Sequence, residues 1–143
     1  MSSIPDQIPL VEGLFSWPSA NPCLWGSRCK ACGTVDFPTH SCCPNCFSNA
    51  TEVIPLSHRG TLWTWTIQGF PPKAPYLGPQ PFEHYGVGYV ELKNQVIVEA
   101  RLTTADPEKL RIGMPMELVI EPFARNAAGQ ALMMYAFKPE GVN

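Results

Sequence analysis

Cys29-Lys-Ala-Cys32-Gly33 and Cys43-Pro-Asn-Cys46 are the two stretches that decide how the first part of this chain folds. Each stretch contains a CxxC pair, and ten residues separate the two pairs. A CxxC turn directs both of its sulfur atoms towards one point, so two such turns predict a tetrahedral cage of four thiolates. Structural Zn²⁺ prefers this donor set, and Gly33 suits the tight backbone of the first turn. The predicted metal ligands are Cys29, Cys32, Cys43 and Cys46.

Two other arrangements of these residues stay open. His40 lies between the pairs and allows a site of three cysteines and one histidine. Two disulfides would require an oxidising compartment. The chain starts without the basic and then apolar pattern of a secretion signal, and no apolar run approaches ~18 residues. We therefore expect a reduced, cytoplasmic protein with no membrane partner, in which Cys23 and Cys42 are not ligands.

The composition limits the class of protein. The 143 residues are 45% hydrophobic and 15% charged, which is typical of a globular chain that buries a core. The net charge is −2 and no basic stripe is visible. Because neutralised phosphates supply most of the affinity for nucleic acid, this composition disfavours a nucleic-acid partner.

Three regions follow from the pattern along the chain. Residues 1–22 form a lead-in, whose apolar positions from Leu10 to Trp17 predict a short amphipathic N-terminal helix that ends near Pro18. Residues 23–50 form the metal module. Residues 51–143 have the alternating, β-branched pattern of strands, and Asp106-Pro107 predicts the cap of one helical turn.

The third region contains five predicted strands. Five short antiparallel strands fit a small Greek-key barrel such as an OB-fold, and a five-stranded open sheet is the alternative. Lys93-Asn94 predicts a tight hairpin turn, and Gly86 and Gly88 predict close approach of the backbone inside the barrel. The strands are Thr61–Gln68, Tyr85–Leu92, Gln95–Leu102, Met116–Ile120 and Ala131–Phe137.

Two features of this region concern ligands. Trp63 and Trp65 stand two residues apart and are expected in the barrel core or in an apolar slot, rather than as stacking platforms for bases. The loop of residues 69–84 carries five prolines, which make it stiff, and long loops of this kind are often functional. The loop is expected to be a ligand or partner surface, or else an inert lid. No nucleophile and base stand in a catalytic pattern, so no catalytic residue is predicted.

The order of these motifs resembles a known family. The cysteine pairs precede the aromatic strand Gly60-Thr-Leu-Trp-Thr-Trp-Thr66, then Tyr85-Gly-Val-Gly-Tyr-Val-Glu-Leu92 and finally Ile112-Gly-Met-Pro-Met-Glu-Leu-Val119. Nearly the whole chain is similar to the zinc-ribbon/OB-fold, acyl-CoA-associated proteins that accompany thiolase-like and ketosynthase-like enzymes. Among its small free-standing members, the chain resembles the subunits paired with a benzoylsuccinyl-CoA-cleaving thiolase. Phe47 departs from the family pattern, because a glycine often follows the second cysteine pair.

The resemblance implies a mainly β fold, with a rubredoxin-like zinc ribbon followed by a five-stranded OB-fold barrel. It also implies a non-catalytic accessory subunit, whose thiolase-like partner performs thiolysis, condensation or retro-aldol cleavage of steroid-type acyl-CoA side chains. The barrel would then contribute to the coenzyme A site. Candidate contacts are the cations Lys73, Arg59 and Arg101 and the slot walls Tyr76, Phe82 and Tyr85. A single-stranded nucleic-acid module and a pure scaffold remain the alternatives.

Overall fold

The regular secondary structure of the described residues is almost entirely β-strand. The computed structural model describes residues 6–18, 20–75, 78 and 81–140. One 3-10 turn, Pro107–Lys109, lies between the seventh and eighth strands. The strands are β1 (Gln7–Pro9), β2 (Trp25–Cys29), β3 (Val35–Asp36), β4 (Thr51–Pro55), β5 (Arg59–Gln68), β6 (Tyr85–Leu92), β7 (Val96–Leu102), β8 (Pro115–Arg125) and β9 (Ala131–Pro139).

Strands β5 to β9 close into a barrel. β5, β6 and β7 form an antiparallel meander, and β8 pairs antiparallel with both β5 and β9. β9 closes the ring by running parallel to β7, where Arg101 lies opposite Ala136 and Leu102 opposite Phe137. This closure confirms the predicted five-stranded OB-fold and excludes the open sheet. All five predicted strands are present, and β8 extends five residues beyond its predicted end at Ile120.

The barrel core follows the alternation of the strands. Side chains at every second position of β6 and β7 are buried, whereas their neighbours point outwards. A bulge between Leu62 and Thr64 in β5 shifts the register of this strand against β6. The bulge interrupts the alternation, so Trp63 is 55% exposed rather than in the core, and its ring packs edge-on against Tyr89. The largest fully buried side chains include Phe137, Leu24, Leu62, Leu92 and Met116.

The zinc-ribbon region forms a second, smaller sheet upstream of the barrel. β2 lies at its centre and pairs antiparallel with β3 on one side and β4 on the other. Although β4 lies beyond residue 50, it belongs to this sheet by its pairing. Only three residues, 56–58, separate β4 from β5, so the small sheet leads directly into the barrel.

The predicted N-terminal helix is wrong. Instead, β1 pairs in parallel with β9, and the segment continues through turns to an isolated bridge between Phe15 and Leu24. Gly13 adopts φ 86°, which is incompatible with a right-handed helix through the middle of this segment. The apolar side chains that suggested a helix pack on the barrel instead: Phe15 is buried, and Leu14 and Trp17 contact the core.

The predicted turns are confirmed. Asn94 takes φ 62° in the tight turn between β6 and β7, and the amide of Gln95 donates to the carbonyl of Leu92. The side chain of Asp106 caps the 3-10 turn by accepting a hydrogen bond from the amide of Glu108. Within the part of the chain described, no helix has the length and apolar character needed to cross a membrane.

Candidate functional site

The two cysteine pairs form matching turns. In the first, the amide of Gly33 donates to the carbonyl of Cys29 at 2.8 Å; in the second, the amide of Phe47 donates to the carbonyl of Cys43 at 2.9 Å. Both turns require a left-handed residue after the last cysteine, and Gly33 and Phe47 have φ 82° and 62°. β2 ends at Cys29 and its sheet therefore positions the first turn, while the second turn lies in the loop before β4.

The four sulfur atoms have the spacing of a tetrahedral zinc centre. The sulfurs of Cys29 and Cys46 are 3.6 Å apart, as are those of Cys32 and Cys43, and all four lie within 4.8 Å of one another. Zn–S bonds of about 2.3 Å in a tetrahedron place the sulfurs about 3.8 Å apart. All six cysteines are free thiols, so the disulfide alternative is not adopted. The residues therefore fit a structural zinc ion.

The cluster also has the electrostatics of a metal site. Hydrogen bonds from Thr34 and then from the side-chain amide of Asn45 lower the pKa of Cys32 to about 6. The backbone of Ser48 favours the thiolate of Cys46, but the neighbouring thiols Cys29 and Cys32 outweigh it and raise the pKa of Cys46 to about 12. Four thiolates this close therefore need a dication to balance their charge.

The other candidate ligands point elsewhere. His40 pairs through Nδ1 with the Asp36 carboxylate, and its amide donates to the hydroxyl of Ser27 at 2.7 Å. Cys42 donates its thiol to the carbonyl of Phe47, 3.2 Å away. Neither residue belongs to the group of four close sulfurs, and the same is true of Cys23.

A groove lies where the small sheet, the N-terminal segment and the barrel meet. Its volume is about 600 Å³, within the range of small-molecule pockets. Its floor is the outer face of the barrel, and Leu10, Leu14, Phe37 and Pro38 form the wall opposite. A second depression of about 560 Å³ continues it towards Trp65 and shares Pro72, Tyr85, Val87 and Glu99 with it. Together the two depressions suit a long, largely apolar ligand.

Arg101 is the cation among the described residues that line this groove. Its guanidinium carbon lies 3.9 Å from the ring centroid of Tyr85 and 4.8 Å from that of Phe123. Two aromatic faces hold the side chain by cation–π attraction and restrict its rotamers. A positioned guanidinium of this kind suits a phosphate or carboxylate.

Two ionisable groups near this groove, Glu121 and Tyr135, have raised pKa values. Burial raises the pKa of the Glu121 carboxyl, an effect that the nearby charge of Arg101 partly offsets. Burial, and then the charge of Glu99, raise the pKa of Tyr135, whose hydroxyl donates to the carbonyl of Glu99 at 3.0 Å. The tyrosine therefore remains a neutral phenol at physiological pH.

The structure brings only some of the predicted coenzyme A contacts together. Tyr85 and Arg101 line the groove, and the ring of Phe82 is 6.1 Å from that of Tyr85. Lys73 is exposed and directly follows Pro72, a lining residue. Tyr76 lies outside the described residues.

Arg59 lies away from this group. It begins β5, whose last residue, Gln68, pairs with Tyr85 at the groove. The strand has 10 residues, so its two ends are roughly 30 Å apart. Arg59 instead forms an ion pair with Glu140 at 3.2 Å.

Sequence reasoning missed three aromatic residues of the groove. Phe123 stacks on Arg101, and Phe37 of the metal module packs edge-on against Tyr135 of β9 with ring centroids 5.6 Å apart. Each comes from a different segment, so no local spacing could have joined them. Phe123 lies in Glu121-Pro-Phe-Ala-Arg125, beyond the predicted end of the fourth barrel strand, and this stretch carries no pattern that signals the contact.

These features define a protein with a rubredoxin-like zinc ribbon followed by an OB-fold. Comparison with family models agrees: residues 21–52 match the ChsH2 rubredoxin-like zinc ribbon domain, and residues 53–121 match the ChsH2 C-terminal OB-fold domain. The chain belongs to this ChsH2 family of zinc-ribbon and OB-fold proteins, also called DUF35.

Two relatives and one solved structure are similar over most of their length. The chain is 36% identical over 117 residues to the benzoylsuccinyl-CoA thiolase subunit BbsA of Thauera aromatica, covering 82% of this chain and 76% of the relative. It is 32% identical to a DUF35 domain-containing scaffold protein of Methanocaldococcus jannaschii, covering 82% of each. A solved structure described as an Ltp2-ChsH2(DUF35) aldolase matches with a TM-score of 0.62 and 26% identity, covering 82% of this chain and 84% of that one.

Proposed function

We propose that this chain is a cytoplasmic, non-catalytic accessory subunit that binds a thiolase-fold enzyme and contributes part of its coenzyme A site. The zinc ribbon holds the subunit's shape, and the partner supplies the reacting groups. Relatives named as a thiolase subunit and as part of an aldolase support a catalytic partner. Thiolysis of a 3-oxoacyl-CoA is the reaction we favour, because the thiolase subunit is similar at 36% identity. Retro-aldol cleavage of an acyl-CoA side chain is the alternative, favoured by the aldolase structure.

The observation that carries the proposal is the position of Arg101, which the rings of Tyr85 and Phe123 hold in a long apolar groove. Coenzyme A has a pantetheine arm that needs an apolar slot, an adenine that stacks, and phosphates that need cations. The groove has apolar walls, the rings of Tyr85 and Phe123, and a positioned guanidinium. Lys73, Tyr76 and Phe82 belong to the adjoining proline-rich loop and are proposed as further contacts.

Single-stranded nucleic acid fits this groove less well. Proteins that bind single-stranded nucleic acid without sequence preference combine aromatic rings, on which the bases stack, with a positively charged groove. Here Glu99 lines the groove and Glu121 lies close to its arginine, so carboxylates accompany the one cation described there. The net charge of −2 agrees with that conclusion.

The first test is purification of a tagged chain from its native cell extract. We expect a thiolase-fold enzyme to be recovered in a fixed molar ratio, without bound nucleic acid. Recovery of an oligonucleotide, or of no enzyme under gentle conditions, would contradict the subunit proposal.

The second test compares two arginines of the purified complex. Arg101→Gln should weaken coenzyme A binding by about 1.5–3 kcal/mol, the usual contribution of a hydrogen bond to a charged group. This corresponds to about 10-fold or more in Kd by calorimetry. Arg59→Gln is the matched control, because Arg59 lies at the far end of β5, and it should leave Kd unchanged. Equal effects of the two substitutions would remove Arg101 from the site.

A further inference from the structure

The two cysteine turns of the ribbon have the same backbone geometry but different residues at the left-handed position. The first has Gly33 at φ 82°, and the second has Phe47 at φ 62°. Glycine adopts this region without a steric penalty, whereas other residues clash there with the backbone. The second turn is therefore strained at Phe47, although the first turn has glycine at the equivalent position.

The side chain of Phe47 buries little surface against the described residues that could offset this strain. It is 77% exposed, the highest value among the large apolar side chains recorded as exposed. In contrast, Phe37 packs on the ring of Tyr135, and the ring of Phe123 packs on the guanidinium of Arg101. Glycine at position 47 would relieve the strained φ, so the described residues give no reason for a phenylalanine there.

Hydrogen bonds hold the backbone of Phe47 in one conformation. The amide of Phe47 donates to the carbonyl of Cys43, and its carbonyl accepts from the thiol of Cys42. Both backbone groups are thus bound within the zinc-stabilised turn. Because the backbone is fixed, only the two side-chain torsions of the phenylalanine lose freedom on binding, which suits an anchor residue in an interface.

We infer that Phe47 is the anchor by which the zinc ribbon docks into an apolar pocket of the catalytic partner subunit. The inference rests on the proposed function for the existence of that partner. Relatives named as part of a thiolase and of an aldolase, which this chain matches over 76% and 84% of their lengths, favour an enzyme subunit as the occupant. Because Cys46 directly precedes Phe47 and is exposed in the free chain, docking also covers one side of the zinc centre.

The test compares the stability of the free chain with the affinity of the complex, because Phe47→Gly should raise or maintain the first and lower the second. Phe47→Gly relieves the strained φ, so the melting temperature of the free zinc-loaded chain should stay the same or rise by about 3 °C. The same substitution removes the anchor, so the dissociation constant of the purified complex should rise by about 10-fold or more. Phe47→Ser should also weaken the complex, which separates loss of the ring from the added flexibility of glycine.

Ile112→Ser is the matched control, because Ile112 is 70% exposed and lies outside the ribbon. This variant should keep the wild-type dissociation constant. Zinc transfer to a coloured chelator supplies a second readout: partner binding should slow it for wild type at equal zinc content. The partner is added at a concentration that saturates the wild-type chain but leaves Phe47→Gly unbound. At this concentration the partner should not slow zinc transfer from the variant.

Three other outcomes would each lead to a different conclusion. A complex that forms equally well with Phe47→Gly overturns the anchor and leaves the subunit proposal intact. A wild-type chain that recovers no enzyme overturns both proposals. Homodimers of the free wild-type chain that become monomers on Phe47→Gly would identify a second copy, not the enzyme, as the occupant.

Discussion

At position 86 the barrel wall has no room for a Cβ atom. An added methyl group there would lie 2.5 Å from the carbonyl oxygen of Thr104 and 3.0 Å from Cβ of Leu102. Gly86→Ala should therefore lower the free energy of unfolding by about 2 kcal/mol, as other overpacked sites do. Gly69→Ala is the control, because the nearest atom to its added Cβ is 3.9 Å away. Denaturant unfolding measures both, and equal stability of the two variants would contradict the close approach.

Individual residues were predictable where their chemistry is local. The four cysteine ligands follow from two short spacings, because each CxxC turn fixes its own geometry. Tyr85 lies diagonally opposite Arg101 in the β6–β7 hairpin, so this contact is local. The contact of Arg101 with Phe123 was not predictable, because Phe123 reaches it from β8 only in the folded barrel. Trp63 was misplaced for a related reason: a bulge, which has no reliable sequence signal, interrupts the alternation of β5.

Among the elements, the zinc ribbon has the least core of its own. β2, β3 and β4 have five, two and five residues, and two of the zinc ligands, Cys29 and Cys43, are among its buried side chains. Structural zinc contributes about 10 kcal/mol or more to the folding of such modules. Cys29→Ser should therefore abolish stoichiometric zinc binding and remove the amide signals of these strands from the NMR spectrum.

Cys42→Ser provides the control for that experiment. Cys42 neighbours a ligand, but its thiol donates to backbone carbonyls, that of Phe47 at 3.2 Å and that of Cys43 at 4.0 Å, and a serine hydroxyl can also donate there. This variant should bind one zinc per chain and keep the wild-type spectrum. Zinc binding unchanged in Cys29→Ser would show that the four-sulfur centre is not the metal site.

The elements differ in how far the sequence determines them. The five barrel strands were predicted because alternation of buried and exposed positions is a local pattern that each strand carries. The strand in the N-terminal segment was not predicted, because the apolar spacing of this segment fits a helix equally well. β1 is selected by parallel pairing with β9, which lies more than a hundred residues away. Non-local pairing of this kind leaves no trace in the segment itself.

On the scale of the whole molecule, the ribbon and the barrel share the groove. Phe37 and Pro38 from the ribbon form part of its wall, and Phe37 packs against Tyr135 on the barrel. No cysteine ligand lines the groove among its described residues, yet the metal maintains the sheet that carries that wall. Zinc and coenzyme A binding should therefore be thermodynamically linked through this contact.

Removal of zinc by a chelator should accordingly lower the affinity of the purified complex for coenzyme A by about 10-fold or more, the cost of losing one well-packed wall. Phe37→Ala retains the metal but removes the ring that meets Tyr135, so it should lower the affinity in the same direction at full zinc content. Calorimetry with parallel zinc analysis measures both changes. Because Ile112 lies on neither the ribbon nor the groove, Ile112→Ser should change neither quantity. Full affinity for coenzyme A after complete zinc removal would mean that the barrel alone forms the site and that the ribbon serves only the partner.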